Sequence, residues 1–144
     1  MKNRLFILFA IVALASCKKE NVDPATAANK QTVADAFDAS KAKLLSQGVL
    51  AGVNHTASGS VGLYETTTNK VVYFDKLSTQ DGPDLKIYIS KDANAKEYIK
   101  LGNLKSTSGP QSYAVPANAD LTGYKFVHIW CERFTVVFAQ AELK

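Results

Sequence analysis

The sequence predicts a mainly β protein: a single antiparallel β-sandwich or barrel domain with one N-terminal helix. Three observations lead there. From Gly48 onward, short stretches rich in Val, Ile, Tyr and Phe alternate with clusters of Gly, Pro, Asn and Asp, which is the cadence of short strands and turns. Within these stretches the side chains alternate: Leu85, Ile87 and Ile89 fall on one face of an extended segment, and Lys86, Tyr88 and Ser90 on the other. Before Gly48 the period is helical, with Val33, Ala36, Phe37 and Leu44 on one face and Lys41 and Lys43 off it.

In chain order, residues 1–16 read as a leader. Lys2 and Arg4 are basic, and Leu5 to Leu14 is an uncharged run of about ten residues, the length of a signal-peptide core. A membrane-spanning helix needs about 20 such residues. Cys17 follows Leu14-Ala15-Ser16, a pattern that resembles the lipobox of bacterial lipoproteins. That resemblance implies cleavage before Cys17, acylation of its sulfur and new amine, and attachment to membrane lipid. Lys18 and Lys19 after the cysteine are similar to outer-membrane sorting patterns, so the expected location is the cell envelope, lipid-anchored, at the outer membrane. Residues 17–30 are polar and contain Pro24, the composition of a flexible tether. Residues 31–47 are expected to form the amphipathic helix, with Gly48 as its stop.

The β domain is expected over 48–144, with strands at 58–66, 70–76, 84–90, 97–104, 110–115, 124–131 and 134–142. Thr68-Asn69 turns the first pair into a hairpin, and Asp81-Gly82-Pro83-Asp84 is a strong turn before the third strand. The segment YKFVHIWC at 124–131 is apolar on both faces, which predicts a central strand covered on both sides.

The formal charge of +4 is spread evenly, and two of the positive residues lie in the leader. That excludes nucleic acid as a partner class. The chain has two cysteines. With Cys17 committed to lipid, Cys131 is the one thiol of the domain and no intramolecular disulfide can form.

Cys131 is therefore the first candidate for chemistry. Alternation places it with Val127 and Ile129 on one face of its strand, and Phe126, His128 and Trp130 on the other. Two aliphatic companions point it into a core, where free cysteine is a small hydrophobe. Its place at the strand end, before Glu132-Arg133, also allows it to sit at a pocket mouth. His128 falls across the sheet from Cys131 and reads as a structural hydrogen-bonding histidine. His55 precedes a Gly-containing strand and is free to approach Cys131 in space or to cap a strand end. Asp81 and Asp84 supply too few oxygens for calcium by themselves and read as turn-capping residues. The strand tyrosines Tyr64, Tyr73, Tyr88, Tyr98 and Tyr113 read as packing, with a groove lining as the other use. The chain carries no CxxCH, GxSxG, HExxH or paired-cysteine motif, and its one methionine, Met1, is expected to leave with the leader, so no axial Met remains for a blue-copper site.

Four segments together resemble the DM-thirteen family, described as electron-transfer domains of cell-surface proteins: HTASG from His55, GPDLKIYIS at 82–90, LGNLKSTSGPQSYAVP at 101–116, and YKFVHIWCERFTVVFAQAEL at 124–143. The resemblance implies a redox role for the cysteine of the Trp130-Cys131 pair, as a naked redox thiol or as a ligand to a prosthetic group such as haem, with His55 as a weaker helper. It also implies a separate redox or binding partner protein, since the chain is a poor stand-alone enzyme. Two other functions stay open: a non-catalytic binding or structural module with Cys131 in the core, and a carrier of a small apolar ligand.

Overall fold

The computed structural model describes residues 36–144; the leader, Cys17, the tether and the first part of the expected helix lie outside them. In chain order the strands are β1 (Lys43–Val49), β2 (Ala51–Gly52), β3 (Ala57–Glu65), β4 (Lys70–Thr79), β5 (Leu85–Ser90), β6 (Tyr98–Asn103), β7 (Ser108–Ala114), β8 (Phe126–Cys131) and β9 (Val136–Glu142). They form a four-stranded sheet in the order β1-β3-β4-β7 and a five-stranded sheet in the order β2-β9-β8-β5-β6. Every pairing is antiparallel. The expected antiparallel sandwich is therefore the fold, and β8 is its expected central strand.

Period-two alternation builds the core. Val61, Leu63, Val72 and Phe74 from the first sheet meet Ile87, Ile89, Val127 and Ile129 from the second in one buried cluster. Leu50, 2 % exposed, carries the chain between β1 and β2 and closes one side of that cluster. The middle of the five-stranded sheet is also covered on its outer face, where Lys86, Tyr88, Ser90 and His128 are buried. The Thr66–Asn69 turn joins β3 to β4: Thr66 N donates to Asn69 O at 2.8 Å, and Asn69 N to Thr66 Oγ1 at 3.0 Å.

The helix expected over 31–47 is corrected within residues 36–47. There the chain makes one short 3-10 turn, Ala39–Lys41, capped by the Asp38 side chain, and then enters β1. The apolar positions fit a strand as well as a helix, and a ladder with β3 decides between them. Gly48 is a close-approach residue inside β1, not a helix stop: a Cβ there would collide with the Glu142 carbonyl. That contact lets Gln47 and Lys144 exchange backbone hydrogen bonds at 3.0 and 2.9 Å. Phe37, from the expected apolar stripe, packs instead on Tyr64 and Tyr73, with ring centroids 5.4 and 5.1 Å away.

The segment between β6 and β7 shows how a buried polar residue holds a loop. Gln111, 0 % exposed, accepts at Oε1 from Lys105 N (3.2 Å), Ser106 N (3.4 Å) and the Tyr113 hydroxyl (2.6 Å). Its Nε2 donates to Ser106 O at 2.8 Å. Gln111→Leu removes the shared acceptor while keeping the volume, and should destabilise the fold by about 3 kcal/mol. Urea unfolding should show a lower midpoint at an unchanged slope; an unchanged midpoint would mean that the network is not needed for stability.

Candidate functional site around Cys131

Cys131 ends β8, opposite Leu85 of β5. Its side chain turns inward with Val127 and Ile129, and all three are 0 % exposed. The sulfur donates to Pro83 O at 3.0 Å. A carbonyl only accepts, so the sulfur enters this contact as a thiol. Pro83 lies in the turn Asp81-Gly82-Pro83-Asp84, where Asp81, Pro83 and Asp84 are exposed. The thiol is thus one turn below the surface.

That turn is fastened at a few points. Asp81 Oδ1 accepts from Gly82 N at 2.8 Å. Asp84 O accepts from Glu132 N at 3.1 Å. The Asp84 carboxylate pairs with Lys86, whose ammonium also donates to Asn103 Oδ1 at 2.8 Å. Asp84 has a φ of 66°, a left-handed conformation that costs an L-residue energy. Asp81 and Asp84 are thus tied up as turn residues, and no group of three or more His, Cys, Asp or Glu able to hold a metal ion occurs among the described residues.

His55 reaches the same turn by way of Phe138. Ile129 pairs with Ala139 and Trp130 with Val137, so Phe138 is the extra residue of a β9 bulge. The bulge aims the Phe138 ring at two neighbours. The His55 ring stacks on it at 3.5 Å with planes 12° apart, and a Cβ on Gly82 would come within 2.8 Å of its Cζ. His55 accordingly packs on the ring that lies against the turn, while the Cys131 sulfur donates its hydrogen bond to the turn's backbone.

His128 lies on the outer face, across the sheet from Cys131 as alternation requires. Its Nε2 is 2.7 Å from Ser90 Oγ, and Ser90 Oγ donates its one proton to Asp92 O at 2.7 Å. The serine must therefore accept from the ring, which puts the proton on Nε2 and leaves Nδ1 bare. Nδ1 is buried without a partner, as is Oε1 of Gln140, the residue opposite in β9. Burial pushes the His128 pKa down, opposed in part by the carbonyl and carboxylate of Asp92.

The outer face holds a cluster built on Tyr88 and Tyr98, two of the strand tyrosines expected to pack or to line a groove. The rings of Tyr98 and Tyr88 stack at 4.2 Å with planes 9° apart, and Trp130 continues the stack at 5.8 Å and 21°. The Tyr88 hydroxyl donates to Glu132 Oε1 at 2.6 Å, and Lys100 Nζ donates to the same oxygen at 2.7 Å. Burial, with the carboxylate beside it, pushes the Tyr88 pKa up. The Lys100 ammonium and the Tyr88 hydroxyl hold Glu132 below the ordinary carboxylate range. The usable sequence signal was Tyr88 on the polar face of β5 with Glu132 just past the end of β8.

Haem ligation requires a sulfur open to a flat macrocycle. In this closed arrangement the Cys131 sulfur is sealed in the core and hydrogen-bonded to backbone, so the residues present do not fit that group.

The described residues thus form a two-sheet antiparallel sandwich with one buried thiol at the end of its central strand. Residues 50–143 match the family described as Electron transfer DM13. That match takes in β2 to β9, and the chain belongs to this family. No curated protein and no solved structure matches the chain.

The neutral, buried His128 fixes a pH dependence. Its pKa is lowered on folding, so the unfolded chain binds the extra proton. The stabilisation is complete above the unfolded value of about 6.5 and is lost as pH falls below it. Asp92, Asp120 and Glu132 also have lowered pKa values, but as carboxylates they contribute mainly below about pH 5. The urea midpoint should fall between about pH 7.5 and pH 5, and His128→Gln should remove that part of the fall. An equal fall in both chains would show that His128 is not its source.

Proposed function

We propose that this protein is a lipid-anchored envelope module that passes reducing equivalents through the Cys131 thiol, which is exposed when the Asp81–Asp84 turn opens. Family membership supports electron transfer as the general activity. The observation that carries the finer reading is the Cys131 sulfur held 3.0 Å from Pro83 O, beneath an exposed turn. The turn has few fastenings and a left-handed Asp84, and such segments open at lower cost than core strands.

Once open, the thiol loses its proton to water. The thiolate sulfur attacks a peroxide oxygen, the O–O bond breaks, and sulfenic acid and water result. A partner thiol then displaces water to give a mixed disulfide. A second partner thiol releases Cys131 reduced and leaves the partner as a disulfide. The reducing thiols must come from a partner, because the chain's other cysteine, Cys17, is assigned to the lipid anchor. The lipobox resemblance supports that anchor, and Lys18 and Lys19 after the cysteine support the outer membrane as its location.

A second reading has its own observation. Cys131 is 0 % exposed and packs with Val127 and Ile129 in the core. As a core residue it would leave the domain a binding or structural module.

Peroxide treatment followed by a sulfenic-acid trap separates the two, using the Cys17→Ser chain so that one thiol remains. A single adduct at Cys131 is expected under native conditions. Gly82→Val, which pushes the turn off Phe138, should speed its formation about tenfold, the effect of roughly 1–2 kcal/mol of overpacking. Absence of the adduct in both chains until denaturant is added would overturn the redox reading and leave the binding or structural one.

A further inference from the structure

We infer that the Tyr98–Tyr88–Trp130 stack is a one-electron route, in which Tyr88 gives its phenolic proton to Glu132 as it loses an electron. The inference rests on the electron-transfer reading of the domain but not on oxidation of Cys131.

Three features carry it. The first is the arrangement of the rings. Tyr98 is 48 % exposed and Tyr88 2 %, so the first pair leads from solvent to a buried ring, and near-parallel planes at 4.2 and 5.8 Å join all three. Its far member, Trp130, is half-buried and is the chain neighbour of Cys131. The second is the destination of the proton. A phenol that loses an electron becomes a strong acid and needs an acceptor already in place. The 2.6 Å hydrogen bond to Glu132 Oε1 supplies one, and a bond this short is of the charge-assisted type. The third is that the acceptor is kept ready. Lys100 at 2.7 Å from Glu132 Oε1 holds that carboxylate ionised, while burial keeps the resting phenol protonated. Tyr88 therefore gives up its proton only together with an electron.

The step balances. A high-potential, metal-centred one-electron oxidant at the Tyr98 face takes one electron. The Tyr88 O–H bond breaks, and the proton moves to Glu132 Oε1. A neutral phenoxyl radical and a neutral carboxylic acid result. A thiolate of a partner protein returns the electron, becoming a thiyl radical, and Glu132 returns the proton.

The test uses the full chain in detergent solution with a photogenerated ruthenium(III) tris-bipyridine oxidant, following the phenoxyl radical by transient absorption. The wild-type chain should show a fast phase. That phase should disappear in Tyr88→Phe and persist in Tyr64→Phe, which lies on the other sheet. Glu132→Gln keeps an oxygen able to accept from Tyr88 but is no base, so the fast phase should slow by about 10²-fold. A merely structural Glu132 would shift the melting temperature and leave the phase unchanged. A wild-type fast phase in both Tyr88→Phe and Glu132→Gln would overturn the inference. Sulfenic-acid trapping of Cys131 on the same preparations keeps the two ideas apart. Trapping without a Tyr88-dependent phase sinks this inference alone, and the phase without trapping sinks the thiol reading alone.

Discussion

The register between β5 and β8 is the constraint on which the rest depends. Leu85 faces Cys131, Lys86 faces Trp130, and Tyr88 faces His128. With a side-chain period of two, a slip of one residue would send Cys131, Ile129 and Val127 to the outer face and His128 and Trp130 into the core. The observed register is held by burial on both sides of the sheet. Ile87, Ile89, Val127 and Ile129 fill the space between the sheets, while the Ser90–His128 hydrogen bond ties the outer face. It also fixes where the Asp81–Asp84 turn ends, so that Pro83 O meets the Cys131 sulfur and Glu132 N meets Asp84 O.

One strand thus carries two chemistries back to back. Its inner face ends in a protonated thiol closed off by a turn. Its outer face, with Glu132 just beyond, joins a stack of three aromatic rings to a carboxylate that accepts the Tyr88 hydrogen bond. The β9 bulge at Phe138 connects the inner site to its surroundings, because the ring it redirects supports both His55 and the turn. His55 thereby shapes the cover over the thiol without touching the sulfur's hydrogen bond.

Much of this was legible in the sequence where one local rule dominated. The alternation of Leu85, Ile87 and Ile89 gave β5, the two-sided apolar run gave the central β8, and Asp81-Gly82-Pro83-Asp84 gave the turn. Cys131 facing inward and His128 outward followed from the same period of two. β1 was misread because Leu44, Leu45 and Val49 stay exposed on an edge strand, so burial imprinted no alternation there and the spacing matched a helical face. Gly48 looked like a helix stop because its reason, the Glu142 carbonyl, lies at the far end of the chain. The cover over Cys131 and the Tyr88–Glu132 bond join residues 48 and 44 positions apart, and no local pattern encodes such contacts.

Whether the Cys131 thiol meets solvent by local opening of its covering turn is most directly read from the urea dependence of its labelling rate, with Cys17 replaced by serine. Local opening exposes little surface, so the rate should stay nearly flat at low urea and steepen only near the unfolding transition. A rate that climbs from the lowest urea concentrations with the full slope of global unfolding would contradict it, and would make Cys131 a core residue that solvent reaches only when the whole sandwich comes apart.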